Sequence, residues 1–158
     1  MKKVVFVKLG IMLFMQYMLF AVWWVPFAAY LNQMGTLESY QISLILGAMA
    51  IGSMASPLIG MFADRFFPSQ KILAGLNLLV AAFLLLAAQQ TGFAGKMITV
   101  TLTLLCYMPT WSLTSAIAMT HVSSEQFPRL RLAGAIGWVA SGLFSITAIH
   151  VFKAQAFD

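Results

Sequence analysis

An amide and a guanidinium, each set among apolar residues, are the groups of this sequence best placed to do chemistry. Gln16, Phe20, Trp23, Phe27 and Tyr30 recur at helical spacing, so they share one face of a helix. Aromatic planes can stack on a flat ligand, and an amide can both donate to it and accept from it. The same residues would also suit a belt of rings at a membrane boundary, with the amide bonded to a neighbouring helix. Tyr30, near the end of its apolar run, fits the belt best. Arg131 comes roughly one turn after Pro128, a residue that opens helices. Ala135 and Trp138 lie on its face at i+4 and i+7. A guanidinium at the bilayer centre costs about 2.5–3.5 kcal/mol. Arg131 therefore lines a wet cavity, has a partner, or snorkels to the headgroups as Arg129 can.

No constellation suggests catalysis. There is no Ser/His/Asp set, no pair of carboxylates and no phosphate-binding loop. His121 and His150 are too far apart in sequence to share a metal, and each reads as an interfacial or loop residue. Cys106 is the single cysteine, which excludes an internal disulfide and a multi-cysteine metal site. The hydroxyls of the run 99–115 need no chemistry, because Ser and Thr bond back to their own helix. Pro109 is expected to kink that helix. The expectation is a non-enzyme without metal or cofactor.

The elements that position these groups must be membrane helices. The chain of 158 residues is 61% hydrophobic and 8% charged, whereas a soluble domain has about a quarter of its residues charged. A spanning helix needs roughly 20 mostly apolar residues. Five runs qualify, at about 9–31, 41–63, 71–90, 97–119 and 131–152. The joints between them are Asn32–Ser39, Asp64–Gln70, Thr91–Lys96 and His121–Pro128. The first run is too long for a signal peptide and reads as a retained helix. The net charge of +5 does not point to nucleic acid, since Lys and Arg punctuate the apolar runs instead of clustering on one face. Lys2, Lys3, Lys8, Arg65, Lys71, Arg129 and Arg131 fall on one side of the membrane, Lys96 and Lys153 on the other. The positive-inside pattern then places the N-terminus in the cytoplasm and Asp158 outside.

Small residues mark the packing faces. Gly52, Ser56 and Gly60 recur at four-residue spacing in the second run, as do Ala133, Gly137, Ser141 and Ser145 in the fifth. Lipid gives little hydrophobic push between helices, so close approach through such stripes assembles the bundle.

Several stretches resemble a known family. Gly60-x-x-x-Asp64-Arg65, between the second and third runs, resembles the loop motif of the major facilitator superfamily. Gln16-Tyr17-Met18-Leu19-Phe20-Ala21-Val22-Trp23, Tyr107-Met108-Pro109-Thr110, Phe127-Pro128-Arg129-Leu130-Arg131 and Gly134-Ala135-Ile136-Gly137-Trp138 narrow the resemblance to its nucleoside:proton symporters, the nucleoside permeases. The likeness covers essentially the whole chain, but only the first five of that family's twelve helices.

The resemblance implies an all-α polytopic membrane protein whose five transmembrane helices form most of the N-terminal six-helix half of a major facilitator fold. Residues 1–158 would be one partial N-terminal transporter bundle in the cell inner membrane. Arg131 corresponds to an arginine that contacts the nucleoside, Trp138 to a ring that could stack on the base, with Gln16 and Trp23 nearby. Two positions depart from the family: Ala135 replaces a hydroxyl residue and Ala133 an aromatic, which bears on the exact substrate. Gly60, Asp64 and Arg65 would form a conformational latch, with Asp64 meeting the positive end of a helix. The implied function is proton-coupled nucleoside uptake by alternating access, with the proton as coupling ion and the missing C-terminal half as partner; the fragment alone would be inactive. A carrier for a sugar or other small polar solute, and a small non-transporting membrane scaffold, are the competing readings.

Overall fold

The computed structural model describes residues 3–66 and 68–152. They form α1 (Lys3–Gln33), α2 (Ser39–Phe66), α3 (Ser69–Gln89), α4 (Phe93–Met119) and α5 (Phe127–Phe152), with no strand among the described residues. Lys3–Gln33, Ser39–Leu58, Ser69–Gln89 and Phe93–Met119 are long and apolar enough to cross a membrane. At 26 residues α5 also has the length to do so.

The helices overrun their apolar runs, because polar residues near the ends keep helical backbone while their side chains reach past the hydrocarbon. Thus α1 starts at Lys3 instead of position 9, and α5 at Phe127 instead of 131. The expected joint at Asp64–Gln70 is shorter, since α2 carries helical backbone through Asp64 and Arg65 to Phe66. Pro68 then opens α3, its carbonyl accepting from the Lys71 and Ile72 N–H groups at 2.9 and 3.4 Å. Pro128 falls in the first turn of α5, where its missing N–H is no loss.

The remaining ends are closed by local polar chemistry. Gly35, at φ 62°, takes the left-handed conformation that ends α1. The Gln41 amide reaches back to accept from the Glu38 N–H at 3.1 Å, half of a capping box for α2. Lys96, expected as an outer-end cation, is 1% exposed, and its Nζ donates to the Ala87 carbonyl at 2.9 Å. An ammonium there complements the negative end of α3. The α4 threonines do bond back to their own helix, as Thr101 to Met97 O at 2.7 Å and Thr103 to Thr99 O at 2.8 Å.

The chain divides into two compact units: α1 as far as Tyr30 with the chain from Ala118 onward, and Leu31–Ile117. In the second, a Cβ at Gly52 would come within 2.7 Å of the Leu104 carbonyl oxygen, and the Ser56 and Ser112 hydroxyls lie 3.2 Å apart. Partner numbers rise together, so α2 and α4 run parallel. The Thr36 hydroxyl donates to the Thr91 carbonyl at 3.3 Å, which ties the α1–α2 joint to the α3–α4 joint.

In the first unit the same device joins α1 to α5. A Cβ at Gly10 would touch Ala133 at 3.8 Å, one at Gly134 the Tyr17 ring at 3.1 Å, and one at Gly137 would run into the Phe14 carbonyl oxygen. From Gly10 with Ala133 to Phe14 with Gly137 the register rises on both helices, so α1 and α5 are parallel, and the Tyr17 ring reaches back to Gly134. The packed face of α5 is Leu130, Gly134, Gly137 and Ser141. Of the expected stripe, Ala133 and Gly137 meet α1 and Ser141 is buried; Gly134 was missed. The side chain of Ser145 lies outside the described residues.

Candidate functional site

Gln16, Trp23, Arg131 and Trp138 all fall in the first unit. Phe20 organises their aromatic part. It is fully buried, and its ring centroid lies 5.6 Å from Trp23 (edge-on, 85°) and 5.9 Å from Trp138 (tilted, 49°). Trp23 on α1 and Trp138 on α5 therefore border one ring. The parallel packing through Gly134 and Gly137 sets that meeting, because it holds the two backbones close one turn earlier. Trp24 stacks on Phe20 at 5.5 Å and on Phe27 at 5.9 Å, and Trp23 meets Phe27 at 5.7 Å. The cluster is a continuous aromatic wall.

Gln16 sits one turn before Phe20 and is only 4% exposed. A buried amide costs free energy unless it is hydrogen-bonded, and Gln16 is not without a partner. Trp138, at 37% exposed, keeps part of its ring accessible. Ser141 satisfies itself locally, donating to the Trp138 carbonyl at 2.6 Å.

Arg131, Ala135 and Trp138 share an exposed face of α5 about a quarter-turn round from the one packed on α1, near enough for the Trp138 ring to reach Phe20. Arg131 makes no hydrogen bond or ion pair among the described residues. The structure thus joins Trp23 to Trp138 through Phe20 and leaves Arg131 two turns along α5 without a link to Gln16.

The latch residues belong to the other unit. Gly60 has nothing within 4 Å of where a Cβ would stand. The Asp64 and Arg65 side chains lie outside the described residues. Among the described residues no group of His, Cys, Asp or Glu could hold a metal.

Sequence reasoning set Phe20 on the candidate face but passed over Trp24. Phe20 was legible as the middle of the Gln16–Trp23 series. Trp24 is about 100° round from Trp23, but it stands four residues after Phe20 and three before Phe27, and that spacing could have placed it beside them.

The sequence model of the nucleoside H+ symporters matches residues 3–156. This chain belongs to the nucleoside H+ symporter family. It is 40% identical over 139 residues to YegT of Escherichia coli (strain K12), provisionally assigned as a nucleoside transporter, across 86% of this chain and 32% of that protein. The nucleoside permease NupG of the same organism is 24% identical over 158 residues, covering 95% of this chain and 38% of NupG. A crystal structure of a NupG mutant matches with a TM-score of 0.84 at 22% identity, over 91% of this chain and 38% of that one. The fold is accordingly all-helical and multi-pass, of the major facilitator kind, as the sequence leads one to expect. These nucleoside symporter relatives are transporters, not enzymes. The chain spans about a third of the length of the curated relatives it matches.

Proposed function

We propose that this chain forms most of the N-terminal half of a twelve-helix carrier of the inner membrane that takes up nucleosides with protons by alternating access. The match of residues 3–156 to the nucleoside H+ symporters is the observation that carries this reading. The geometry supports it. Trp138 and Trp23 offer ring faces to a base on either side of Phe20, and the exposed Arg131 offers a planar fork of donors on the same face of α5 as Trp138. A guanidinium on a spanning helix is costly against lipid, which favours a wet cavity on that face. Residues 1–158 form one partial bundle in this reading, and the missing half supplies the rest of the site. Gly60, Asp64 and Arg65 act as the latch between conformations.

Reconstituted in liposomes, the complete carrier should accumulate labelled nucleoside when a proton gradient is imposed, and sugars should not compete. Accumulation of a sugar instead would transfer the same fold to another solute. In that assay Asp64→Asn should lower uptake while leaving the amount of inserted protein unchanged, because a charge at a helix end is worth roughly 0.3–2 kcal/mol. Uptake at the unmutated rate would make Asp64 a solvated turn residue.

The proposed orientation puts the N-terminus in the cytoplasm. On a background with Cys106 replaced, a cysteine at the exposed Thr91 should react with an impermeant reagent added outside, and one at the exposed Gln70 should not. The reverse pattern would invert the topology.

A further inference from the structure

A cavity of about 500 Å³ opens at the end of the first unit where α1 and α5 both begin. Lys3, Phe6, Val7, Gln126 and Arg129 line it. Its charges are all of one sign. Lys3 and Arg129 are exposed, and neither makes an ion pair or a side-chain hydrogen bond among the described residues. Because α1 and α5 are parallel, the positive ends of both helix dipoles point the same way at this level. No acidic residue stands in the first turn of either helix to offset them. Glu125, just ahead of α5, is exposed and takes no part in the lining.

The remaining walls are different in kind. Phe6 and Val7 give an apolar side one to two turns into α1, and Gln126 adds an amide. Two unpaired cations, an amide and an apolar wall thus meet where membrane helices enter the bilayer. A soluble anion would use only the charged part. An amphiphile with an anionic head would use all of it, and basic pockets between membrane helices are suited to such heads.

We propose that this cavity binds the headgroup of an anionic phospholipid. Its phosphate lies between Lys3 and Arg129, within reach of the Gln126 amide, and its acyl chains start along Phe6 and Val7. Charge-assisted hydrogen bonds from a guanidinium and an ammonium hold the phosphate. On the orientation given above, the lipid belongs to the cytoplasmic leaflet. The site stands apart from the Phe20 cluster and does not depend on which solute is carried.

The test measures binding of fluorescent phosphatidylglycerol to the complete protein in neutral detergent, with phosphatidylcholine and inorganic phosphate as the other arms. Lys3→Gln or Arg129→Gln should each weaken phosphatidylglycerol about fivefold, and the double variant about 25-fold. Lys3→Arg and Arg129→Lys should keep most of the binding. Lys71→Gln removes the same charge at an exposed position outside the cavity and should change binding less than twofold. Phosphatidylcholine should bind weakly, and millimolar phosphate should not displace the lipid. Equal losses in Lys71→Gln and in the two cavity variants would mean a diffuse surface attraction and overturn the proposal. Displacement by inorganic phosphate at the concentration of a short-chain anionic lipid would make this a site for the free anion, and the lipid assignment would fail.

Discussion

Arg131→Ala should cut the affinity of the complete carrier for a labelled nucleoside about 10- to 150-fold, the equivalent of a charged hydrogen bond worth about 1.5–3 kcal/mol. The helix itself should stay in place, because Arg131 is on the exposed face of α5 and the packed face is Leu130, Gly134, Gly137 and Ser141. Arg131→Lys should restore only part of the affinity, since an ammonium lacks the planar fork. Trp138→Phe should retain most of the stacking that Trp138→Ala removes. Equilibrium binding in detergent measures all four. Undiminished affinity in Arg131→Ala would leave the guanidinium in the headgroups and take the best residue-level support from the nucleoside reading.

Gly137→Ala and Gly142→Ala should move stability in opposite directions, although both put alanine in the same helix. A Cβ at position 142 meets nothing within 4 Å, so that variant gains helix propensity of about 0.5–1 kcal/mol. A Cβ at position 137 runs into the Phe14 carbonyl oxygen, a backbone atom that cannot swing aside. The two helices must separate, at a cost on the order of 1–3 kcal/mol. Thermal unfolding followed by size-exclusion chromatography in detergent reads the sign. A Gly137→Ala protein as stable as the parent would mean that α1 and α5 do not meet this closely.

Much of this arrangement is legible in the sequence, and the failures share a cause. The five helices were visible because each contains an apolar run of spanning length. The helices continue past those runs, as at Lys3 and at Arg129, because hydropathy marks the lipid boundary and not the last hydrogen-bonded turn. Asp64 and Arg65 were read as loop for the same reason. Gly52 and Ser56 were legible as contacts because small residues have few other uses at four-residue spacing. Gly60 continues the spacing but finds no neighbour among the described residues. The site shows the same division. Periodicity put Gln16, Phe20 and Trp23 on one face, but the pairing of Trp138 with Phe20 depends on α5 lying against α1, which no local pattern encodes. Lys96 was read only as an outer-end cation; its burial against the Ala87 carbonyl of α3 depends on the tight α3–α4 turn, which hydropathy does not show.

The pairing of α1 with α5 also fixes an order of events at the ribosome. The unit Leu31–Ile117 is contiguous, so its helices can close on one another as soon as α4 has left the insertion machinery. The face of α1 around Gly10, Phe14 and Tyr17 has its partner on the last of the five helices to be made. Throughout the synthesis of α2, α3 and α4 that face must rest against lipid or an assisting protein. Long-range partners of this kind are the slow step of assembly and the opening for mispairing. The glycines of α5 thus act late, recovering a helix that has waited in the bilayer since the beginning.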